Sequence, residues 1–234
     1  MYSELKKECF EANMLLPKLE LVIYTFGNVS CVDRKRGVFA IKPSGIDYEL
    51  MSHHDIVIVD LDGKTVDGKL RPSSDTNTHC VLYKAFGNIG GIVHTHSAFA
   101  AAWAQGLRSI PIYGTTHADH LATDIPCTEL MADAKIGNDY ETETGNQIVD
   151  CFARKSLNPD ETQMVLVAGH GPFAWGNSTI KAVYNAKVLE ELARMALLTE
   201  QINPAVVRLK EALVAKHYER KHGKNAYYGQ NYLH

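Results

Sequence analysis

The stretch Gly90-Gly91-Ile92-Val93-His94-Thr95-His96-Ser97 constrains this chain more than any other. As a β-strand it has a side-chain period of two, which sends His94 and His96 to one face and Thr95 to the other. Two imidazoles side by side on a rigid strand supply half of a transition-metal site. The same spacing also suits one core and one surface histidine, or a hydrogen-bonded pair. Further ligands elsewhere in the chain decide between these readings.

Sulfur is the first ligand to set aside. The five cysteines, Cys9, Cys31, Cys80, Cys127 and Cys151, are dispersed and form no CxxC pair. That pattern argues against a disulfide framework and against a thiolate-held zinc, leaving nitrogen and oxygen as ligands. The 234 residues, 45% hydrophobic and 22% charged, suit one domain over residues 1–234 with a substantial core. A net charge of −3 and a pI near 6.4 give no electrostatic argument for nucleic acid or for an anionic membrane. No apolar run is long enough to span a bilayer, and residues 1–11 are polar rather than signal-like, so a cytoplasmic protein is expected.

Along the chain, Ser3 is placed to cap a helix carrying Leu5, Cys9, Ala12 and Leu16, which Pro17 should end. Residues 21–25 read as a strand. Residues 29–33 and 37–41 read as a hairpin across Arg34-Lys35-Arg36, and residues 55–60 as a strand entering a tight Asp62-Gly63 turn. Helices are expected over 76–86, 97–104 and 141–155, with a long one capped by Ser178 and a last one starting at Pro204. Met164 to Ala168 reads as a buried strand. Hairpins with helices laid over them predict an α/β fold: a three-layer αβα single domain with a largely antiparallel central sheet.

Candidate partners for the two histidines follow. His170 ends a β-like run between Gly169 and Gly171, which leave its backbone free to turn. Three histidines on strand ends suit a catalytic zinc with an open position, although His170 taken alone reads better as a turn histidine capping a strand end. Asp75, at a helix start, is a possible fourth ligand or an ordinary capping acid. Ser44-Gly45 and Ser73-Ser74 lie in turns, the second opening a helix, where free N–H groups and hydroxyls favour a phosphate; Lys42 and Asn28 add a charge and a donor. Residues 114–120 form a polar loop suited to an acid/base residue. Residues 216–224 read as a solvated, cationic helix end. The paired Tyr227 and Tyr228 beyond it want a partner surface.

Several of these segments together resemble the L-ribulose-5-phosphate 4-epimerases of the class II aldolase/epimerase family. They are residues 25–30 (Thr-Phe-Gly-Asn-Val-Ser), 41–45 (Ile-Lys-Pro-Ser-Gly), 71–76 (Arg-Pro-Ser-Ser-Asp-Thr), 91–97, 114–119, 169–176 and the ending through Ala226-Tyr227-Tyr228-Gly229-Gln230. The resemblance runs from Leu5 to Gln230. It implies a class II aldolase-like fold and a C4 homotetramer with one zinc per subunit at each interface. In that reading His94, His96, His170 and the more weakly held Asp75 bind zinc, and Gly27, Asn28, Ser44, Gly45, Ser73 and Ser74 bind a phosphorylated sugar. Asp119 and Tyr228 become the proton-transfer pair, reaching in from the neighbour as the tail 223–234 docks. His217 and Arg220 match positions near that pair. His120 departs from the family, which carries an aromatic residue beside the acid.

The implied reaction interconverts L-ribulose 5-phosphate and D-xylulose 5-phosphate in pentose (arabinose or ascorbate) catabolism. The C4 hydrogen of a 2-ketose is not activated, so inversion there needs retro-aldol cleavage of C3–C4, rotation of the aldehyde and re-addition. Each face of that aldehyde needs its own proton partner, hence two acid/bases. Three other readings compete. An aldolase for fuculose or rhamnulose phosphate shares the metal and phosphate residues but not the Asp119 and Tyr228 motifs. A non-catalytic scaffold like the adducin head should lack the histidines. A zinc hydrolase should show a further His/Asp motif after His96.

Overall fold

A computed structural model describes residues 2–137, 139–224 and 226. Its centre is a seven-stranded sheet formed by β1 (Asn28–Asp33), β2 (Val38–Ile41), β3 (Val57–Asp60), β4 (Thr65–Asp67), β5 (Gly91–His94), β6 (Met164–Leu166) and β7 (Pro172–Gly176), in the order β4-β3-β2-β1-β5-β7-β6. Every neighbouring pair is antiparallel. The charged turn at 34–37 makes the expected β1–β2 hairpin, pairing Asp33 with Val38 and Ser30 with Ile41.

Strand alternation divides the core in two. Phe39, Ile41, Val57, Val59, Ile92, Val165, Phe173 and Trp175 turn to one face, where α2 (Thr76–Ala85) and α6 (Tyr140–Arg154) cover them with Leu82, Tyr83, Ile148 and Phe152. Val38, Ala40, Ile58, Val93 and Ala174 turn to the other face. There α1 (Ser3–Lys18), α3 (Ala98–Gln105) and α7 (Thr179–Ile202) contribute Leu16, Trp103, Leu189 and Leu192. Because both faces are covered, β2 and β3 read as almost unbroken apolar runs rather than alternating ones. The result is the expected α/β arrangement of helix, sheet and helix layers. None of the described helices is long and apolar enough to cross a membrane.

The structure departs from the sequence expectations at several points. Residues 21–25 form no strand. Leu21 N–H instead bonds the Leu16 carbonyl (3.0 Å) to finish α1, and Phe26 N–H bonds that of Ile23 (3.1 Å). Local turns thus consume the groups a strand would offer, and Ile23 and Tyr24 point outward. At α1 itself, Tyr2 rather than Ser3 is the N-cap, and Pro17 lies one residue inside the C-terminal end. The last helix, α8 (Glu211–His222), starts well beyond Pro204. Asn203 Oδ1 accepts from Ala205 N–H (3.1 Å), a local turn that competes with helix. The following segment then crosses to bond Leu209 N–H to the Ile112 carbonyl (2.8 Å). The sequence reading also missed β7 and two short helices, α4 (Thr115–Ala118), in a segment read as loop, and α5 (Asp133–Ile136), in a segment given no reading.

Candidate functional site

His94 is the last residue of β5, and the sheet register surrounds it. It sits directly across from Asn28 of β1 on one side and from Phe173 of β7 on the other. Cross-strand partners share a face, so Asn28, His94 and Phe173 form one row, with the His94 and Phe173 rings stacked 4.2 Å apart. His96 lies past the end of β5, so its placement does not come from strand alternation as the sequence suggested. The ring nevertheless turns back, with its Nε2 3.1 Å from His94 Nε2.

His170 arrives from the turn between β6 and β7. A Cβ on Gly171 would stand 2.8 Å from the Thr95 carbonyl oxygen, so only glycine lets this turn press against the His94–His96 segment. Gly27 answers the same crowding from the opposite side, with φ at +76° and no room for a Cβ beside Val22 and the His94 carbonyl. One ligand nitrogen from each of His94, His96 and His170 thereby falls within 4.8 Å of the others. His94 is buried, His170 half-buried and His96 exposed, so the cluster is walled on one side and open to solvent on the other.

These residues fit a metal ion. The Pro172 carbonyl can only accept, so the His94 nitrogen 3.0 Å from it, Nδ1, carries the proton. Its Nε2 lone pair is thereby aimed at the cluster, as second-shell bonds do for ligating imidazoles. Two nitrogens binding one tetrahedral ion at about 2.0–2.1 Å lie ~3.4 Å apart, close to the spacing of the His94 and His96 pair. Burial and the neighbouring His94 push His170 down to about 4, and the same causes lower His96. Both rings are therefore neutral near neutral pH, the form that binds metals.

A cleft of about 450 Å³ opens from the histidines. Its lining includes every sequence-proposed binding residue except those of the acid/base pair: Gly27, Asn28, Ser44, Gly45, Ser73, Ser74 and Asp75. Asn28 Nδ2 donates to Asp75 Oδ2 (2.6 Å) and to Ser73 Oγ (3.1 Å), while its Oδ1 is buried without a partner among the described residues. Burial alone would raise the Asp75 pKa. His94, His79 and the Asn28 amide outweigh it, and the carboxyl stays below its ordinary range. The N-termini of α2 and α6 both border the cleft, adding their positive ends. Beneath the Ser44-Gly45 turn, the buried Lys42 ammonium donates to the carbonyls of Ile46 (2.8 Å), Thr25 (3.4 Å) and Pro43 (3.4 Å). Burial brings it down to about 8, against the pull of Asp47. It ties the two cleft loops together while keeping a positive charge under them. Tyr140 and Glu141 also line the cleft; the sequence reading missed both, since nothing local distinguishes them from ordinary first-turn helix residues.

Asp119 is placed apart from this cleft, at the C-cap of α4. The helix α8 presents His217, Arg220 and Lys221, spaced three and four residues apart and hence on one face. Arg220 donates to both carboxylate oxygens (3.0 and 2.8 Å), His217 Nδ1 lies 2.9 Å from Oδ1, and Lys221 is 3.7 Å from Oδ2. Burial would raise Asp119, but the hydrogen bonds from Arg220 and His217 and the Lys221 charge bring it below its ordinary value. The run expected to be a solvated helix end therefore closes on an acid with one of its faces. His120 packs against Tyr184 (5.7 Å between rings), and burial beside Lys221 and Lys181 lowers it to about 4. Tyr228 and the rest of the tail, 225 and 227–234, lie outside the described residues.

Comparison with known proteins bears on the family and the fold. The L-ribulose-5-phosphate 4-epimerase UlaF of Salmonella paratyphi B is 50% identical over 97% of this chain and 99% of its own, and that of Salmonella typhi is equally similar. Among solved structures, an L-fuculose 1-phosphate aldolase superposes with a TM-score of 0.77 at 24% identity, over 93% of this chain and 95% of its own. YgbL of Klebsiella pneumoniae, titled a putative aldolase/epimerase/decarboxylase, gives 0.72 at 23%, over 91% and 97%. At such identities these two matches speak for the fold. Residues 7–197 match the model described as the class II aldolase and adducin N-terminal domain, and the chain belongs to that family.

Proposed function

We propose that this chain is an L-ribulose-5-phosphate 4-epimerase, an isomerase that interconverts L-ribulose 5-phosphate and D-xylulose 5-phosphate in pentose catabolism, in an arabinose or an ascorbate pathway. The observation that carries the reading is the histidine cluster, open to solvent at one side of a cleft lined by an anion cradle, in a chain half identical to such epimerases along its length. A non-catalytic scaffold like the adducin head is expected to lack these histidines, and all three are present.

In this reading His94, His96 and His170 hold one zinc ion per subunit, with Asp75 as a fourth and weaker ligand; three imidazoles also accept other divalent metals. When bound, the ion would supply Lewis acidity able to stabilise negative charge that develops on the sugar's oxygens. Gly27, Asn28, Ser44, Gly45, Ser73 and Ser74 bind the substrate, chiefly its phosphate, with the α2 N-terminus and Lys42 adding positive potential. That grip keeps the cleaved glycolaldehyde phosphate in place while its carbonyl turns over. Asp119, held ionised by Arg220 and His217, takes or gives the C4 hydroxyl proton at one face, and Tyr228 does so at the other.

Asp119 does not line the cleft of its own chain, and in this reading the acid/base pair enters from a neighbour. The contact then joins two unlike patches, and such head-to-tail contacts close only as a ring, in keeping with a C4 homotetramer. Exposed apolar side chains support this: Ile23, Tyr24 and Leu50 near the cleft loops, and Tyr184 beside His120. The tail 223–234 docks at the same interface. The phosphorylated substrate is made and kept inside the cell, and we place the enzyme in the cytoplasm.

The test is to supply metal-replete protein with L-ribulose 5-phosphate and follow the products by NMR. The account expects D-xylulose 5-phosphate with no free aldehyde accumulating. Build-up of glycolaldehyde phosphate and dihydroxyacetone would make the protein an aldolase instead.

A further inference from the structure

The three histidines are not held alike. His94 sits on a strand between two paired neighbours, with its outer nitrogen fixed by the Pro172 carbonyl. His170 has no such frame. It lies in a turn after Gly169 (φ +70°) and before Gly171, with no paired strand residue beside it, and its ring rests against those of His94 (4.7 Å) and His96 (5.1 Å). The ring's Nδ1 has one partner among the described residues, the Tyr140 hydroxyl, at 3.4 Å.

Tyr140 is itself firmly placed. It is the first residue of α6, and the neighbouring Asp139 caps that helix by accepting from Thr142 N–H (3.2 Å) and Thr142 Oγ1 (2.6 Å). Asn77 Nδ2 holds the same carboxylate from α2 (3.0 Å), and Thr78 Oγ1 donates to the Glu141 carbonyl (2.6 Å). The helix start that carries Tyr140 is thus pinned to the helix that follows Asp75. Its ring lines the cleft, 6.1 Å from that of His170, and its hydroxyl makes no other hydrogen bond among the described residues.

We propose that Tyr140 is a positioning residue for the metal site: its hydroxyl accepts the Nδ1 proton of His170 and holds the ring with Nε2 towards His94 and His96. This gives His170 through a side chain what His94 receives from the backbone. Outer-shell partners of this kind alter metal affinity by about 10–100-fold when removed. The inference rests on the metal-binding reading above, and its test separates the two.

Tyr140→Phe removes only the hydroxyl. Metal-free parent and variant are titrated with zinc against a chromophoric chelator, and the thermal unfolding of both is recorded without metal. We expect the parent to bind one zinc per chain, the variant to bind it ~10-fold more weakly, and the two metal-free proteins to unfold at the same temperature. Cobalt-loaded samples provide a second readout, because a freed His170 ring changes the visible absorption of the site. Equal zinc affinity, within about twofold, with an unchanged cobalt spectrum overturns the inference alone. A parent that binds no zinc overturns it together with the reading on which it rests.

Discussion

The histidine cleft and the Asp119 cluster are two polar regions of one chain built on opposite principles. At the histidines of the cleft, charge is kept low. His94, His96 and His170 come together from one strand end, the segment after it and a glycine-flanked turn, and burial holds His96 and His170 neutral. Around Asp119, charge is gathered: one carboxylate meets Arg220, His217 and Lys221 from a single helix face. The first arrangement waits for a cation, and the second already has its cations and keeps an acid ionised. The contrast teaches that the two regions offer complementary groups, the first unprotonated imidazole donors and the second a carboxylate kept ionised.

The largest expected effect comes from breaking the cleft. His94→Asn should abolish stoichiometric zinc binding, measured by metal analysis after dialysis, and turnover should fall to background with it. Asp119→Asn tests the other region. Turnover should fall by about 10²–10⁴-fold, the usual worth of a positioned acid/base, while zinc content stays at the parental level. Metal loss in Asp119→Asn would erase the distinction between the regions.

How much of this the chain betrays in its sequence also divides along the same line. The cleft was legible because its parts are short-range signals: a His-x-His spacing, glycines flanking His170 and serines opening a helix. The β1–β2 hairpin and the buried strands β3, β5 and β6 could be read for the same reason. The register that sets Asn28 beside His94 depends on pairing between distant strands, and no local pattern carries it. The face of α8 that grips Asp119 was readable in principle, since His217, Arg220 and Lys221 recur at helical spacing. A charged helix end usually faces water, and that expectation prevailed. Residues 21–25 failed in the reverse sense: β-prone side chains were overruled by backbone groups already committed to turns. Tyr140 carries no signal at all until the fold brings α6 over the β6–β7 turn.

A smaller effect separates the regions by pH. His170 titrates near 4 in the folded chain against an ordinary value of 6.5, so between those values the unfolded chain binds more protons. Stability of the metal-free protein should therefore fall as pH drops from 6.5 to 4 and be flat in this respect above 6.5. Asp119 is lowered from 3.8, so its contribution is present above that value and is lost only as pH falls through and below it. In urea titrations, His170→Gln should flatten the slope between these limits by about 1–3 kcal/mol, whereas Asp119→Asn should leave that slope parental. A slope unchanged in His170→Gln would mean that burial of this imidazole is less costly than its surroundings imply.

The central claim is that the two regions meet only between subunits, and complementation tests it most directly. His94→Asn and Asp119→Asn are each inactive by the account; unfolded together in equal amounts and refolded with zinc, they should form mixed rings. In a head-to-tail ring each interface draws its metal from one chain and its acid from the next, so ~1/4 of interfaces pair two intact halves. Recovery of about a quarter of parental activity is the predicted result. Mixed oligomers that assemble, bind zinc and remain as inactive as either variant alone would contradict it.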